Sequence, residues 1–279
     1  MNATVTAPAA SRAVTLAARV ADLLPERAGS PWTVEPYGAW WSAKPAARLV
    51  QDGRALIVVA HTWRTEIGWQ LPDREPYEPD LRIERMAPEP IARDVLRLVL
   101  PVVDDEAARR AHGGPRVMGR LELLNEIGHA VRLQGLATYN RVGLLVNTST
   151  LAWGAPSGLR YSVTLHGTNP ACDVQIEGPV RALERAITHF MPEAAPARPE
   201  VPLVRGRLQR RMAAFLARYG DVEQTDTDGL AFGNRPGPYG CFAPAFDSAA
   251  RAHDSAPASV DLHGVGVDFL VSLAPHLAR

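Results

Sequence analysis

Lysine is almost missing from this chain: Lys44 is the only one, so positive charge is carried by arginine. The 30 basic residues are balanced by 30 acidic ones, giving a formal net charge of zero at pH 7. That balance argues against a generic polyanion binder, which shows a basic excess. The two cysteines, Cys172 and Cys241, are too few for a disulfide-stapled scaffold and read as small core residues. No apolar run approaches a membrane span, and the opening MNATVTAPAASRAV lacks the charged and long apolar regions of a signal peptide. The expectation is a cytoplasmic protein with no membrane partner.

What is present is a recurring pattern. In Cys172 to Pro192, Val174 and Ile176 alternate with Asp173, Gln175 and Glu177, the period of a strand with one wet face. Gly178 breaks the run and Pro179 suits a first helical turn. Val180, Leu183, Ala186, Ile187 and Phe190 then return at helical spacing until Pro192. The same order of strand, turn and amphipathic helix occurs at 81–101 and again from Val260 to the end. Pro101, Pro192 and Pro275 lie near the ends of the three at nearly equal intervals. Closing helices are expected at 88–100, 179–191 and 265–277.

Ahead of each closing unit stand a helical stripe and several strand-like runs. Val14 to Leu24 is a helix stopped by Pro25, followed by runs at 32–41, 46–51, 54–60 and 63–71. Asp52-Gly53 marks a tight hairpin, and 55–60 is apolar enough for a central strand. A second helix spans Leu121 to Val131 and a third Leu208 to Tyr219, each followed by shorter strands. The reading is an α+β protein of three tandem helix, antiparallel sheet, helix modules, each sheet covered on one face by its two helices. Residues 1–11 form a tail, 12–103 module one, 116–192 module two, 193–202 a Pro-rich linker, and 203–279 module three. The loop 244–257 is small and polar, either disordered or functional.

Chemistry-bearing motifs fail on inspection. Asp226, Asp228 and Gly229 resemble part of a calcium loop, but Gln224 and Arg235 occupy its first and last ligand positions, so a hairpin turn is the better reading. Gly233, Gly237 and Gly240 lack the Lys-Ser/Thr of a phosphate loop. Ser157 sits one residue late for a nucleophile elbow. No two histidines are three or four apart, as chelation from one helix face requires. No cofactor and no metal are expected.

Two weaker constellations survive. His263, with Asp261 on the same strand face and Asp268 at the start of the next helix, has the composition of an imidazole–carboxylate acid/base pair. Arg205, Arg207, Arg210, Arg211 and Arg218 cluster along one helix and could contact successive phosphates, with Trp40 as an exposed base-stacking partner. Trp63 and Trp69 fall on the apolar alternation and are expected in the core, whereas only one of the adjacent Trp40 and Trp41 can be buried. The function favoured by the sequence is a non-catalytic binding or scaffold protein with a protein partner. The alternatives are a nucleic-acid binder using the arginine helix and an enzyme centred on His263.

Overall fold

In the computed structural model, residues 11–110, 119–143, 147–194, 201–235, 237–245 and 252–279 are described. The tail, the core of the 193–202 linker and much of the 244–257 loop lie outside them. The chain divides into two compact units, Met1–Val95 and Leu96–Arg279.

The first unit opens with α1 (Arg12–Ala21), whose Ser11 side chain accepts a hydrogen bond from the Val14 amide and caps it. Five strands follow in sequence order: β1 (Thr33–Gly38), β2 (Pro45–Gln51), β3 (Arg54–Ala60), β4 (Thr65–Gln70) and β5 (Leu81–Ile83), all antiparallel. The β2–β3 turn has positive φ at both Asp52 and Gly53, the backbone that a two-residue hairpin needs to follow strand twist. Every residue of β3 is buried, as expected of a central strand. The sheet is not covered on one face alone. Helix α1 packs on β1, β2 and β3, and Ala46, Ile57 and Val59 on the other face form a small core with Ala39, against which Tyr37 and Trp41 pack. Gly68 permits this: a Cβ there would lie 2.5 Å from the Trp41 ring.

Helix α2 (Pro88–Asp94) begins where the sequence places it, but Pro101 does not end the helical run. A π-turn over Val95–Val99 leads into α3 (Leu100–Arg110). An i→i+5 turn displaces the backbone just where proline's missing N–H and its ring would disrupt a regular α-turn. The connection expected from residue 102 onward is therefore helical as far as Arg110, with Val103 and Asp104 buried.

The second unit continues with α4 (Arg120–Leu133), β6 (Tyr139–Gly143), β7 (Thr148–Gly154), β8 (Arg160–His166), β9 (Ala171–Pro179) and α5 (Val180–Phe190). It then runs through α6 (Arg207–Leu216), β10 (Val222–Gln224), β11 (Leu230–Phe232), β12 (Tyr239–Pro244), β13 (Pro257–Gly266) and α7 (Val267–Leu277). The closing helices thus begin within two residues of their expected positions. Modules two and three do not have separate sheets, however. β9 pairs antiparallel with β13, joining all of these strands into one eight-stranded sheet of order β10-β11-β12-β13-β9-β8-β7-β6. A strand that is the last of its set has a free edge of N–H and C=O groups, and pairing two such edges satisfies both.

One face of this sheet is apolar and dry. Leu151, Tyr161, Val163, Cys172, Val174, Ile176, Val260 and Leu262 are buried there, and α3, α4, α5, α6 and α7 all pack on the sheet. Phe190 of α5 meets Phe269 of α7 edge to face with centroids 6.2 Å apart. Alternate residues point the other way and remain partly exposed.

Candidate functional site

The polar face of the eight-stranded sheet gathers its charges on the central strands. In register, Arg160 of β8 stands beside Glu177 of β9, which stands beside Ser259 of β13; the next row inward is Ser162, Gln175, Asp261 and Cys241. Arg160 makes an ion pair with Glu177 at 3.0 Å. Beyond Leu262 the β9–β13 register shifts, so that His263 and Gly264 together fall opposite Asp173. Gly264 takes φ +72°, a left-handed backbone that suits glycine in such a bulge.

The bulge delivers His263 to Asp173. Its Nδ1 lies 2.8 Å from Oδ1, while Nε2 of His166, on β8, lies 3.0 Å from the other carboxylate oxygen. Asp173 is thus shared between two imidazoles, each side chain roughly half exposed (42% for Asp173 and His263, 53% for His166). Tyr239 packs beside His263 with ring centroids 5.5 Å apart, and Arg235 donates to the Tyr239 hydroxyl at 2.6 Å.

The fold gives His263 a carboxylate other than the Asp261 and Asp268 that stand near it in sequence. The carboxylate that holds His263 is Asp173, ninety residues away in sequence and adjacent only because β9 and β13 pair. Asp268 is buried in α7, a helix on the dry side of the sheet. Asp261 shares the row with Cys241 and Gln175, and its acidity is reduced: burial holds the carboxyl above the usual range, His263 opposes that, and the Glu177 and Asp173 charges add to it. The Cys241 thiol is pushed up as well, first by burial and then by the Asp261 charge. Asp173, Glu177 and His166 were not singled out in the sequence, where nothing but strand pairing brings them to His263.

The arginine cluster is divided by the fold. Arg207 and Arg210 project from α6 into solvent with no ion pair among the described residues. Arg211 is engaged. It donates through Nε and Nη2 to both carboxylate oxygens of Glu184 on α5 at 2.8 Å, and its Nη1 lies 2.9 Å from Asp254. Those hydrogen bonds and charges hold the guanidinium pKa above its ordinary value. Arg205 precedes the helix, its backbone amide bonded to Gln224, and Arg218 follows it with its guanidinium over Tyr219. The glycines of 229–240 lie in turns and strands: the Gly229 amide donates to Thr225 Oγ1 in the β10–β11 turn, and Gly233 follows β11.

In the first unit Trp40 is 70% exposed and Trp41 is turned inward against Gly68; both lie in the turn after β1, closed by the Ser42 amide donating to the Ala39 carbonyl, and not in an extended strand. Trp69 is buried beneath the Arg74 guanidinium. Trp63 departs from expectation at 61% exposed. The His61 amide donates to the Arg64 carbonyl, so 61–64 is a turn and β4 starts only at Thr65; strand alternation does not reach back to Trp63. The turns carrying Trp40 and Trp63 lie at the same end of the sheet, because Ala46 pairs with Val59 and Ala60 with Thr65.

Among the described residues no group of three or more His, Cys, Asp or Glu side chains is arranged to hold a metal ion, and no helix is long and apolar enough to cross a membrane. No family model, curated protein or solved structure matches this chain.

Proposed function

We propose that this is a non-catalytic binding protein whose eight-stranded sheet presents its polar face to a protein partner, and that the partner's contacting segment is basic. The observation that supports the reading is the charge along β9 and β13: Asp173, Glu177 and Asp261 set three carboxylates on two paired strands, and of the three Glu177 is paired with an arginine, Arg160 of β8. Their mutual repulsion contributes to the reduced acidity of Asp261, and cationic groups laid across these rows relieve it. The hydroxyls of Thr150, Ser162, Thr164 and Ser259 on the same face supply hydrogen-bonding capacity for a polypeptide. We take the three helix, strands, helix segments to be copies of one unit, two of which combined their sheets to make this face broad.

Titration of a labelled arginine-rich peptide by fluorescence anisotropy tests the reading. Binding should appear at about 50 mM salt and fade as salt screens it, and Asp173→Asn with Asp261→Asn should weaken it about tenfold. Absence of binding, or binding indifferent to those substitutions, rejects the reading.

A nucleic-acid reading retains one supporting observation, the outward and unpaired Arg207 and Arg210 with Trp40 and Trp63 exposed elsewhere. A labelled single-stranded oligonucleotide in the same titration, with Arg207→Ala and Arg210→Ala, separates it from the first.

A further inference from the structure

On the helix side of the second unit, away from the polar face, α5, α7 and the β7–β8 turn enclose a cavity of about 430 Å³. Its volume lies in the range of small-molecule sites, roughly 300–1,000 Å³. Leu159, Ala182 and Ala186 give it an apolar floor, and Arg185, His189, His276 and Arg279 contribute basic groups to its wall. Among the described residues no Asp or Glu side chain lines it.

Two features set this cavity apart from a chance surface hollow. Arg185 and Arg279 make no ion pair with an Asp or Glu side chain among the described residues, so two guanidinium groups border one opening. Tyr161 is the second. It is 3% exposed and stacked on Trp153 with ring centroids 4.9 Å apart, yet its hydroxyl has no hydrogen-bond partner among the described residues. Tyr161 lines the cavity, so its hydroxyl can donate to a ligand acceptor held there. Burial also drives the phenol pKa well above its ordinary value, so the group stays protonated and able to donate.

The facing imidazoles complete the chemistry. His189 of α5 and His276 of α7 stack with centroids 4.5 Å apart and planes 21° from parallel, fixing the two helices on either side of the opening. Ser157, in the turn that closes the β7–β8 hairpin, adds a hydroxyl at the rim.

We propose that this cavity binds a small amphipathic organic anion, its apolar body against Leu159 and Ala182 and its carboxylate or phosphate head between Arg185 and Arg279, with the Tyr161 hydroxyl donating to it. The apolar floor excludes a fully hydrated inorganic ion as the best occupant, and the basic wall excludes a neutral apolar one. This site is independent of the partner face, since its lining residues belong to the opposite side of the sheet.

Isothermal titration of the full chain with benzoate, phenyl phosphate, inorganic phosphate and benzyl alcohol tests the proposal. At least one aromatic anion should bind about tenfold or more tightly than inorganic phosphate, and benzyl alcohol should show no measurable binding. The order of benzoate and phenyl phosphate then distinguishes a carboxylate from a phosphate head. Arg185→Gln and Arg279→Gln, both on exposed side chains, should each weaken the bound anion about tenfold, the scale of a lost charge-assisted hydrogen bond. Tyr161→Phe should weaken it several-fold while leaving the melting temperature unchanged or raised, because no protein partner loses a bond. Failure of both aromatic anions to bind, equal binding of inorganic phosphate, or affinity unaffected by the arginine substitutions would each overturn the proposal.

Discussion

Gln175 and Asp261 stand directly opposite one another where β9 meets β13, each three residues before a glycine, Gly178 and Gly264, that lies ahead of its closing helix. They mark the line about which the two halves of the second unit face each other: strand, glycine, helix runs outward from this pair in both directions. Residues to either side take corresponding positions, so Ser259 opposite Glu177 on one side answers His263 opposite Asp173 on the other.

At this junction the charge of Asp261 is disfavoured by burial and by the neighbouring carboxylates Glu177 and Asp173. Its folded-state pKa is raised, which means the folded chain holds that proton more tightly than the unfolded chain does. The sign follows: stability attached to this group is complete below the unfolded pKa and is lost as pH rises through the folded value. Asp261→Asn should accordingly raise the melting temperature at pH 7, with the gain shrinking as pH falls below the carboxylate range. Thermal melts of both chains from pH 3 to pH 7 check this; a gain that grows toward acid would contradict it.

The neighbouring thiol reports on the same field. Thiolate is the reactive form, and both burial and the Asp261 charge disfavour it at Cys241. Alkylation at pH 7.5 should be slow relative to a free cysteine peptide, and Asp261→Asn should accelerate it. Cys172, buried on the dry face, should stay unmodified until the chain unfolds. Mass spectrometry of timed iodoacetamide reactions distinguishes the two sites.

The elements were legible in the sequence because they are local. Val180, Leu183, Ile187 and Phe190 sit at helical spacing and are the buried stripe of α5, and Asp52-Gly53 is the hairpin turn. The union of β9 with β13 was not legible, because an exposed edge strand and a paired central one carry the same period-two alternation. The site inherited that gap: His263 could be noticed, but Asp173 reaches it only through strand pairing and a bulge. Pro101 misled for a related reason, since proline reads as a helix stop unless a π-turn precedes it.

Arg211 should be structural, in contrast to its helix neighbours. It ties α6 to α5 through Glu184 and to the 252–256 segment through Asp254, in a setting where its side chain is 25% exposed. Arg211→Ala leaves the Glu184 carboxylate without its partner and should cost about 1–3 kcal/mol. Arg207→Ala and Arg210→Ala should change stability by less than about 0.5 kcal/mol, as exposed surface substitutions do. Denaturant midpoints of the three variants decide it, and only the last two can report on nucleic-acid binding without a confounding loss of fold.

In the first unit the corresponding test is Gly68→Ala. The backbone there is not in the left-handed region, so alanine meets no conformational objection; the obstacle is space. Its Cβ would fall 2.5 Å from the Trp41 ring and 3.2 Å from Pro76, and an indole held against Ala46, Ile57 and Val59 cannot yield as a flexible chain end would. Overpacking of this kind costs about 1–3 kcal/mol. The substitution should therefore lower the melting temperature, and Trp41→Leu in the same chain should recover part of the loss by removing the ring that the new methyl strikes. Equal destabilisation by Gly68→Ala with and without Trp41 would show that the indole is not what the second face of the β1–β5 sheet is packed around.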